Sequence, residues 1–389
     1  MARLKVVPEN LLERVVLALG LAPTPLLDTM VALLLARSVM AATKLGVFEA
    51  LADGPLTARE TAARCATDED ATAKLLSALV GARYVRVVPA RHAPAHLARR
   101  AEIETPPGIH AEGQAGAAAL MEGDMSLASR FALTPVARRW LLSSSAFPLG
   151  DAVQHRYLDL ALLDHAEEYV RTGVPLDYHQ TMDATQWDLY ERGQRAHALL
   201  SSREVVWRTP LPRDARAMLD VGGGHGLYAA AFCRRRPGLQ AVVFDLPEAL
   251  AHAARLIAAE GLGPRLATRA GDASTDDLGA EEYDLVFIAN LVHHFDDAGN
   301  RDLMVRAAKA LRPGGHVVVA DVIHQSSFAG NQVGGLTDFY FAVTSQSGTW
   351  SFTAMAAWQE AAGLAPRKPI KLLTVPGYGL QAARKPIRR

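Results

Sequence analysis

The stretch Asp220-Val221-Gly222-Gly223-Gly224-His225-Gly226 is predicted to join a strand to a helix, because the apolar run 217–221 ends inside it and a helical segment near 226–236 follows. Glycines at such a junction permit positive φ and let a ligand approach the backbone, while the first amides of the helix face that ligand. Asp245 ends the next apolar run, 19 positions beyond Gly226. A carboxylate there can accept both hydroxyl protons of a ribose. Together these features predict a nucleoside-cofactor site rather than a simple glycine-rich turn.

The spacing of the glycines distinguishes between cofactors. A dinucleotide site typically shows Gly-x-Gly-x-x-Gly, whereas this chain has Asp-x-Gly-x-Gly-x-Gly from Asp220 to Gly226. An acid at the strand end would repel a pyrophosphate but suits a cationic ligand. S-Adenosylmethionine (SAM) is such a ligand, since it carries an α-ammonium and a sulfonium and no phosphate. Gly271-Asp272-Ala273 ends a third run, where the aspartate can accept the exocyclic amine of adenine or serve as a turn residue.

From Ala215 onwards, short apolar runs alternate with helical segments. This alternation is typical of βαβ units in an open parallel sheet, so an α/β fold is predicted. The predicted strands are 217–221, 241–244, 266–270, 284–289, 316–322, 370–375 and 379–383, and helices are expected near 226–236, 247–261 and 298–312.

The segment before Gly46 predicts two helices. The first opens at Asn10, and the second runs from about Pro25 to Leu45. The second helix is apolar on more than one face, as expected of a helix buried by a partner. Because a monomer would expose this surface, we predict a homodimer formed through the N-terminal domain. The uncharged run within the helix is far shorter than the roughly 20 residues of a membrane span, so no membrane partner is expected.

The residues that follow predict a winged helix. Thr57 and Glu60 form a capping-box pattern at the start of one helix, and Asp68 is the predicted cap of the next. Residues 84–88 and 131–134 alternate like the two strands of a wing. The order of three helices and a strand is that of a winged-helix module.

Composition is that of a soluble globular protein with more than one domain. The chain has 389 residues, of which 50% are hydrophobic and 21% are charged. Lys plus Arg and Asp plus Glu number 41 each, so the chain lacks the basic surplus typical of a nucleic-acid binder. Cys65 and Cys233 are far apart and form neither a disulfide framework nor a metal cluster, which favours a cytoplasmic setting and no metal. The first residues lack the apolar core of a signal peptide.

The order of five motifs resembles that of class I SAM-dependent methyltransferases. The motifs are DVGGGHG (220–226), VFDLP (243–247), GDA (271–273), NLVHHF (290–295) and LRPGG (311–315). With the winged helix and the segment 358–364, the chain is similar to the O-methyltransferase family of plant phenylpropanoid and bacterial natural-product enzymes, which includes caffeate, hydroxyindole and polyketide-tailoring enzymes.

The resemblance covers nearly the whole chain except an insert at about 91–127. It implies an N-terminal, mainly α, winged-helix dimerisation domain over residues 1–195 and a Rossmann-like, SAM-binding catalytic domain over residues 196–389. The insert is rich in small residues, Pro and Gly, and part of it is expected to be mobile or to cover the substrate.

The resemblance also assigns roles to single residues. It implies that His293 is a general base and that Asp321 orients it. Plant members have a second acid where this chain has Trp350, so the His–acid–acid arrangement is incomplete and the pocket is expected to be more aromatic. The predicted cofactor-binding residues are Asp220, Gly222, Gly224, Gly226, Asp245, Leu246, Asp272, Ala273 and Asn290. The predicted substrate-binding residues, each of which could equally be a core residue, are Tyr157, Trp187, His294, Phe339, Tyr340 and Trp350.

These assignments predict a homodimeric enzyme that methylates a hydroxyl on a hydrophobic, aromatic small molecule bound between the two domains. A phenol has a pKa near 10 and is mostly protonated at neutral pH, whereas a histidine with an ordinary pKa of about 6.5 can take the proton as attack proceeds. General-base catalysis of this kind raises the reaction rate by roughly 10²–10⁴-fold. Either histidine of the pair at 293 and 294 can reach the crevice beyond the fourth strand, and the family register favours His293.

The sequence leaves two alternative functions open. One is a relative that keeps SAM but methylates nitrogen or carbon, or catalyses hydroxylation or decarboxylation; an intact His293 argues against it. The other is a regulator that reads DNA with the winged helix. Zero net charge and a third helix with Lys74 as its single basic residue argue against DNA binding.

Overall fold

The computed structural model describes residues 6–8, 10–88, 129–176, 178–179, 181–324, 332–345 and 347–387. Contacts divide the chain into two compact units, Val6–Gln154 and His155–Arg389. The insert at about 91–127 lies outside the described residues, so its expected role stays a prediction. The domain boundary at residues 195 and 196 also stays a prediction. A single helix, Ala184–Arg208, runs through that point.

The unit Val6–Gln154 is mainly helical and carries a two-stranded wing. Asn10 caps the first helix, and Thr57 and Glu60 form the capping box that the sequence predicts. Strands β1 (Val85–Val88) and β2 (Arg130–Leu133) pair antiparallel, which confirms the wing. The helices are α1 (Leu11–Ala18), α2 (Thr24–Lys44), α3 (Val47–Ala50), α4 (Ala58–Cys65), α5 (Glu69–Gly81) and α6 (Pro135–Trp140).

Helix α2 has an apolar surface that its own unit leaves exposed. Met30, Leu33 and Leu34 are each more than half exposed. By length and composition, this 21-residue helix is also long and apolar enough to cross a membrane. The sequence argument against a span considered only the uncharged run within the helix, which is shorter. An apolar helix that packs against a second copy of the chain has the same length and composition. The length of α2 therefore does not exclude a membrane span, and the homodimer interface on α2 stays a prediction.

The unit His155–Arg389 contains the sheet that the βαβ alternation predicts. Its strands are β3 (Ala217–Val221), β4 (Gln240–Asp245), β5 (Leu266–Ala270), β6 (Tyr283–Ala289), β7 (Leu311–Val322), β8 (Ala365–Pro366), β9 (Ile370–Lys371) and β10 (Tyr378–Arg384). Among the described residues the strand order is β5-β4-β3-β6-β7-β10-β8, with β9 paired to β10. Strands β3 to β7 are parallel to one another, and β10 is antiparallel to β7.

The first three helices of this unit precede the sheet in the chain, and the other five lie between its strands. They are α7 (Gly150–Leu163, which begins in the preceding unit), α8 (Ala166–Thr172), α9 (Ala184–Arg208), α10 (Leu227–Arg235), α11 (Pro247–Ala259), α12 (Asp297–Ala310), α13 (Gln332–Thr344) and α14 (Phe352–Ala361). The predicted start of β7 at His316 is too late, because Leu311 already pairs with Tyr283 before a register shift. The short strand β8 has no counterpart among the predicted strands.

The parallel strands bring their carboxyl ends to one edge of the sheet. Asp220 in β3 pairs in register with Val243 of β4 and with Phe287 of β6, so the three strands end near one another. Two clusters of buried apolar side chains cover the sheet and fix these positions. Residues that follow the strands therefore lie close together although they are far apart in the sequence.

Candidate active site

The glycine-rich turn after β3 has the backbone geometry that the sequence predicts. Gly222, Gly224 and Gly226 all have positive φ, at 66°, 40° and 70°. A Cβ on Gly222 would lie 3.0 Å from Leu291, and a Cβ on Gly224 would lie 2.9 Å from an oxygen of Glu191. Glycine is needed at both positions because a side chain would meet strain and a neighbour at once.

The turn forms the floor of a cleft of ≈ 950 Å³, part of it open to solvent. The cleft lies at the carboxyl ends of the strands, where ligands bind in open α/β sheets. Gly226 is the one predicted cofactor residue outside its lining, and a Cβ there would instead lie 2.9 Å from Ile257. The predicted cofactor residues that line the cleft are Asp220, Gly222, Gly224, Asp245, Leu246, Asp272, Ala273 and Asn290.

Asp245 is held in place by two backbone donors. Its carboxylate oxygens accept hydrogen bonds from the amides of Gly224, at 2.7 Å, and Leu246, at 2.8 Å. Burial raises the pKa of Asp245 to about 6, and the two amides oppose that shift. The lone pairs that remain can accept hydroxyl protons from a ribose.

Two further buried carboxyl groups line the same cleft. Asp220 is 1% exposed, and the backbone amide of Ala229 lies near its carboxyl group without a hydrogen bond of good geometry to either oxygen. Burial, with Asp245 nearby, raises the pKa of Asp220 to about 8. Glu191 is 2% exposed, and its pKa is raised well above the ordinary value by burial and by Asp245. A cleft with three buried acids favours a cationic ligand.

Asp272 has the turn role that its sequence context allows, and its contact with adenine stays a prediction. It lines the cleft, and its carboxylate also accepts the amide hydrogen of Ser274 at 2.7 Å as a turn residue. The turn bond leaves the second carboxylate oxygen for a ligand at the edge of the cleft.

His293 and Asp321 form a buried pair beside the cleft. His293 lies on a 3₁₀ turn, Val292–His294, that follows β6, and Asp321 is the penultimate residue of β7. The imidazole Nδ1 lies 3.0 and 3.1 Å from the two carboxylate oxygens of Asp321. A carboxylate accepts from Nδ1–H, which leaves Nε2 with a lone pair that can accept a proton. The predicted pair is therefore brought together by the fold.

The neighbours of His293 set its orientation. The ring of Phe341 stacks on the imidazole at 3.9 Å between centroids, and the ring of His294 lies 4.3 Å away. His293 is 4% exposed and does not itself line the cleft, whereas His294 does. Burial, together with His293 and His179, holds the pKa of His294 well below its usual value. His294 is therefore a neutral ring in the cleft wall near pH 7.

The aromatic wall from α9 and the loop before it contains Trp187, which was a predicted pocket residue, and His179, which was not. His179 lies 4.8 Å from His294 and 5.8 Å from Trp187, measured between ring centroids. Tyr190, Glu191 and Gln194 of α9 also line the cleft. Trp187, Glu191 and Gln194 recur at spacings of four and three, which puts them on one face of a helix. That spacing is the signal that sequence reasoning could have used.

The predicted substrate residues are placed in different surroundings. Trp187 and His294 line the cleft, whereas Tyr157, Phe339, Tyr340 and Trp350 do not. The Tyr340 hydroxyl donates to Asp159 at 2.7 Å, and Phe339 contacts the ring of Tyr169. Substrate contact by any of the six remains a prediction. In the part of the chain that the structure describes, no group of three or more His, Cys, Asp or Glu side chains is arranged to hold a metal ion.

Comparisons with known proteins match two parts of the chain to domains of O-methyltransferases. Residues 149–363 match an O-methyltransferase domain, and residues 27–99 match an O-methyltransferase dimerisation domain. The chain is 26% identical over 375 residues to 3-hydroxy-5-methyl-1-naphthoate 3-O-methyltransferase of Streptomyces sahachiroi, covering 93% of this chain and 95% of that protein. It is 26% identical over 300 residues to the N,N-dimethyltransferase OxyT of Streptomyces rimosus, covering 74% and 75%. The structure of human N-acetylserotonin methyltransferase in complex with SAM has a TM-score of 0.73 at 20% identity, covering 98% of this chain and 100% of that chain.

Proposed function

Since the chain belongs to the O-methyltransferase family, as the match over residues 149–363 shows, we propose that it transfers a methyl group from SAM to a hydroxyl of a hydrophobic, aromatic small molecule. The buried pair of His293 and Asp321 carries the proposal, because a base beside the cleft is what an alcohol or phenol nucleophile needs. The aromatic wall of the cleft supports a flat, apolar substrate.

The described residues suit the cofactor in three respects. The buried carboxyl groups of Asp220 and Glu191 favour the α-ammonium and the sulfonium. Asp245, fixed by two backbone amides, suits the ribose hydroxyls. The glycines leave room for the methionine part against the backbone. When bound, SAM supplies a methyl group on a sulfonium, which leaves as a neutral thioether.

The chain contributes proton transfer and positioning. His293 Nε2 accepts the hydroxyl proton as the substrate oxygen attacks the methyl carbon, and Asp321 stabilises the imidazolium that forms. The cleft wall aligns the substrate oxygen with the carbon–sulfur bond that breaks. The neutral His294 and Trp187 form part of this wall and exclude water.

The names of two relatives support a natural product as the substrate. They also indicate the main alternative, which is methylation of nitrogen. One relative is named for methylation of a hydroxyl on a naphthoate, which favours an aromatic secondary metabolite, and another is named as an N,N-dimethyltransferase. A screen of hydroxylated and amino-substituted aromatics with methyl-labelled SAM, read by product mass and fragmentation, distinguishes the two. Labelled methyl found only on nitrogen or carbon would overturn the O-methylation proposal.

The exposed apolar surface of α2 predicts a homodimer. Met30→Glu combined with Leu34→Glu should produce a monomer at micromolar concentration, because two charges would be buried in the interface. Light scattering measures the mass of each species. Val170→Glu, at an exposed position in the other unit, is the matched control and should leave the dimer intact. A monomeric unmutated protein would contradict the prediction.

The buried acids predict that SAM affinity rises with pH. The pKa of Asp245 is raised to about 6 and that of Asp220 to about 8, so both carboxyls are partly protonated in the free protein near neutrality. A cationic ligand favours their ionised forms, and binding should therefore release protons. Between about pH 5.5 and 7 the α-ammonium of SAM stays mostly protonated, so the dissociation constant should fall as pH rises.

Calorimetry in buffers of different ionisation enthalpy measures the protons released. Glu191→Gln should reduce the release, because it removes one of the three titrating groups in the cleft. Affinity that does not change with pH, with no proton release in any buffer, would show that the acids do not interact with the cofactor.

A further inference from the structure

Trp350 is joined to the strand that carries Asp321. Its backbone forms a parallel bridge with Ile323, two residues beyond Asp321, and its carbonyl accepts the amide hydrogen of His324 at 2.9 Å. The loop that contains Trp350 is thereby fixed to the end of β7.

The side chain of Trp350 reaches the turn that carries His293. Its indole Nε1 lies 3.0 Å from the carbonyl oxygen of Val292, the residue before His293. The same nitrogen lies 3.0 Å from Ser347 Oγ, and that hydroxyl lies 3.2 Å from the carbonyl oxygen of His293 and 2.7 Å from that of Phe295. Trp350 thus contacts both the turn that carries His293 and the end of the strand that carries Asp321.

We propose that Trp350 is a positioning residue whose indole N–H fixes the His293 turn relative to the Asp321 strand. The proposal rests on the proposed role of His293. An indole N–H is only a donor and cannot accept the Nδ1–H of an imidazole, so Trp350 acts on the backbone of the turn rather than on the ring of His293. It occupies the position where the plant enzymes that this chain resembles have a second acid, and it supplies rigidity in place of a charge.

Packing holds the indole in place for this contact. The ring of Trp350 lies edge-on to Trp358, with centroids 4.9 Å apart, and Trp358 Nε1 donates to Asp297 at 2.7 Å. Asn300 Nδ2 donates to the Val292 carbonyl as well, at 2.9 Å. Because that carbonyl keeps one donor when the indole is removed, we expect loss of the Trp350 bond to loosen the turn rather than unfold it.

Trp350→Phe removes the donor and keeps an aromatic ring. It should lower kcat about three- to tenfold, the range expected for one hydrogen bond, while calorimetry shows unchanged SAM affinity. Trp207→Phe is the matched control, because it makes the same substitution at an exposed tryptophan outside the Trp350 and Trp358 pair. If Trp350→Phe is unstable, Trp350→benzothienylalanine keeps the shape of the indole and lacks only the N–H.

A direct measurement separates positioning from packing. The Nδ1–H proton of His293, identified by its loss in His293→Ala, reports the bond to Asp321 by NMR. We expect it to broaden or shift in Trp350→Phe and in the benzothienyl variant, and to stay unchanged in Trp207→Phe. An unchanged resonance and unchanged kcat in the folded Trp350 variants would overturn the proposal. If His293→Ala keeps its turnover, the base assignment fails instead, and the resonance still decides whether Trp350 positions the turn.

Discussion

Gly224→Val is expected to weaken SAM binding at least tenfold, about 1.4 kcal/mol, in a protein that still folds. Gly224 has a φ of 40°, which a β-branched residue rarely adopts, and a Cβ there would lie 2.9 Å from Glu191 Oε2. The amide of Gly224 also donates to Asp245, so a shift of this turn displaces the predicted ribose acceptor. Isothermal calorimetry with SAM measures the change.

The control for Gly224→Val must carry the same backbone strain outside the cleft. Gly261→Val meets this condition, because Gly261 has a φ of 68° and nothing within 4 Å of its Cβ position. It should lower stability and leave SAM affinity unchanged. Asp245→Ala removes the carboxylate without strain and should also weaken binding at least tenfold. Unchanged affinity in folded Gly224→Val and Asp245→Ala proteins would refute the assignment of the cofactor site.

The cofactor half of the site could be predicted from sequence because its signals are local. Positive φ after a strand requires glycine, and an acid at a strand end needs no partner from elsewhere to be recognised. Asp220, Asp245 and Asp272 each follow or end an apolar run, and all three line the cleft. Parallel strands then bring them together, whatever their separation along the chain.

The cleft residues from α9 and the loop before it depend on tertiary contacts that no local sequence pattern contains. His179 lies on a loop, and Tyr190 belongs to a helix whose aromatic residues have the spacing of a buried core. Glu191 is the clearest omission, because a charged residue in a helix is normally expected on the solvated face. Its burial beside Gly224 follows from the packing of α9 on α10 and α11, which is a tertiary contact.

Trp350 has a contact that its place in the sequence does not reveal. Its position in place of an acid predicts a more aromatic substrate pocket. That call stays a prediction, since Trp350 is not among the residues that line the described cleft. Its indole N–H donates to the carbonyl oxygen of Val292, in the backbone of the turn that carries His293. The direction in which an indole points depends on χ angles set by neighbours such as Trp358, and these cannot be inferred from residue order.

His293→Ala is expected to lower kcat about 10²-fold or more with a hydroxylated substrate, while SAM affinity stays intact, because only proton transfer is lost. The imidazole is placed for this role by Asp321, which accepts from Nδ1 and leaves Nε2 free to act as the base. His294→Ala should cost less, since it removes a neutral ring from the cleft wall and leaves the buried pair in place.

The pH dependence distinguishes the two histidines. kcat of the unmutated enzyme should fall on the acid side as the base becomes protonated, and His293→Ala should flatten that limb while His294→Ala preserves it. Burial holds the pKa of His294 well below its usual value, so a base at His294 would place the acid limb far below neutrality. Near-normal turnover in His293→Ala would exclude it as the base. If His294→Ala then abolished turnover, His294 would be the base; if both variants remained active, catalysis would depend on alignment of the substrate oxygen alone.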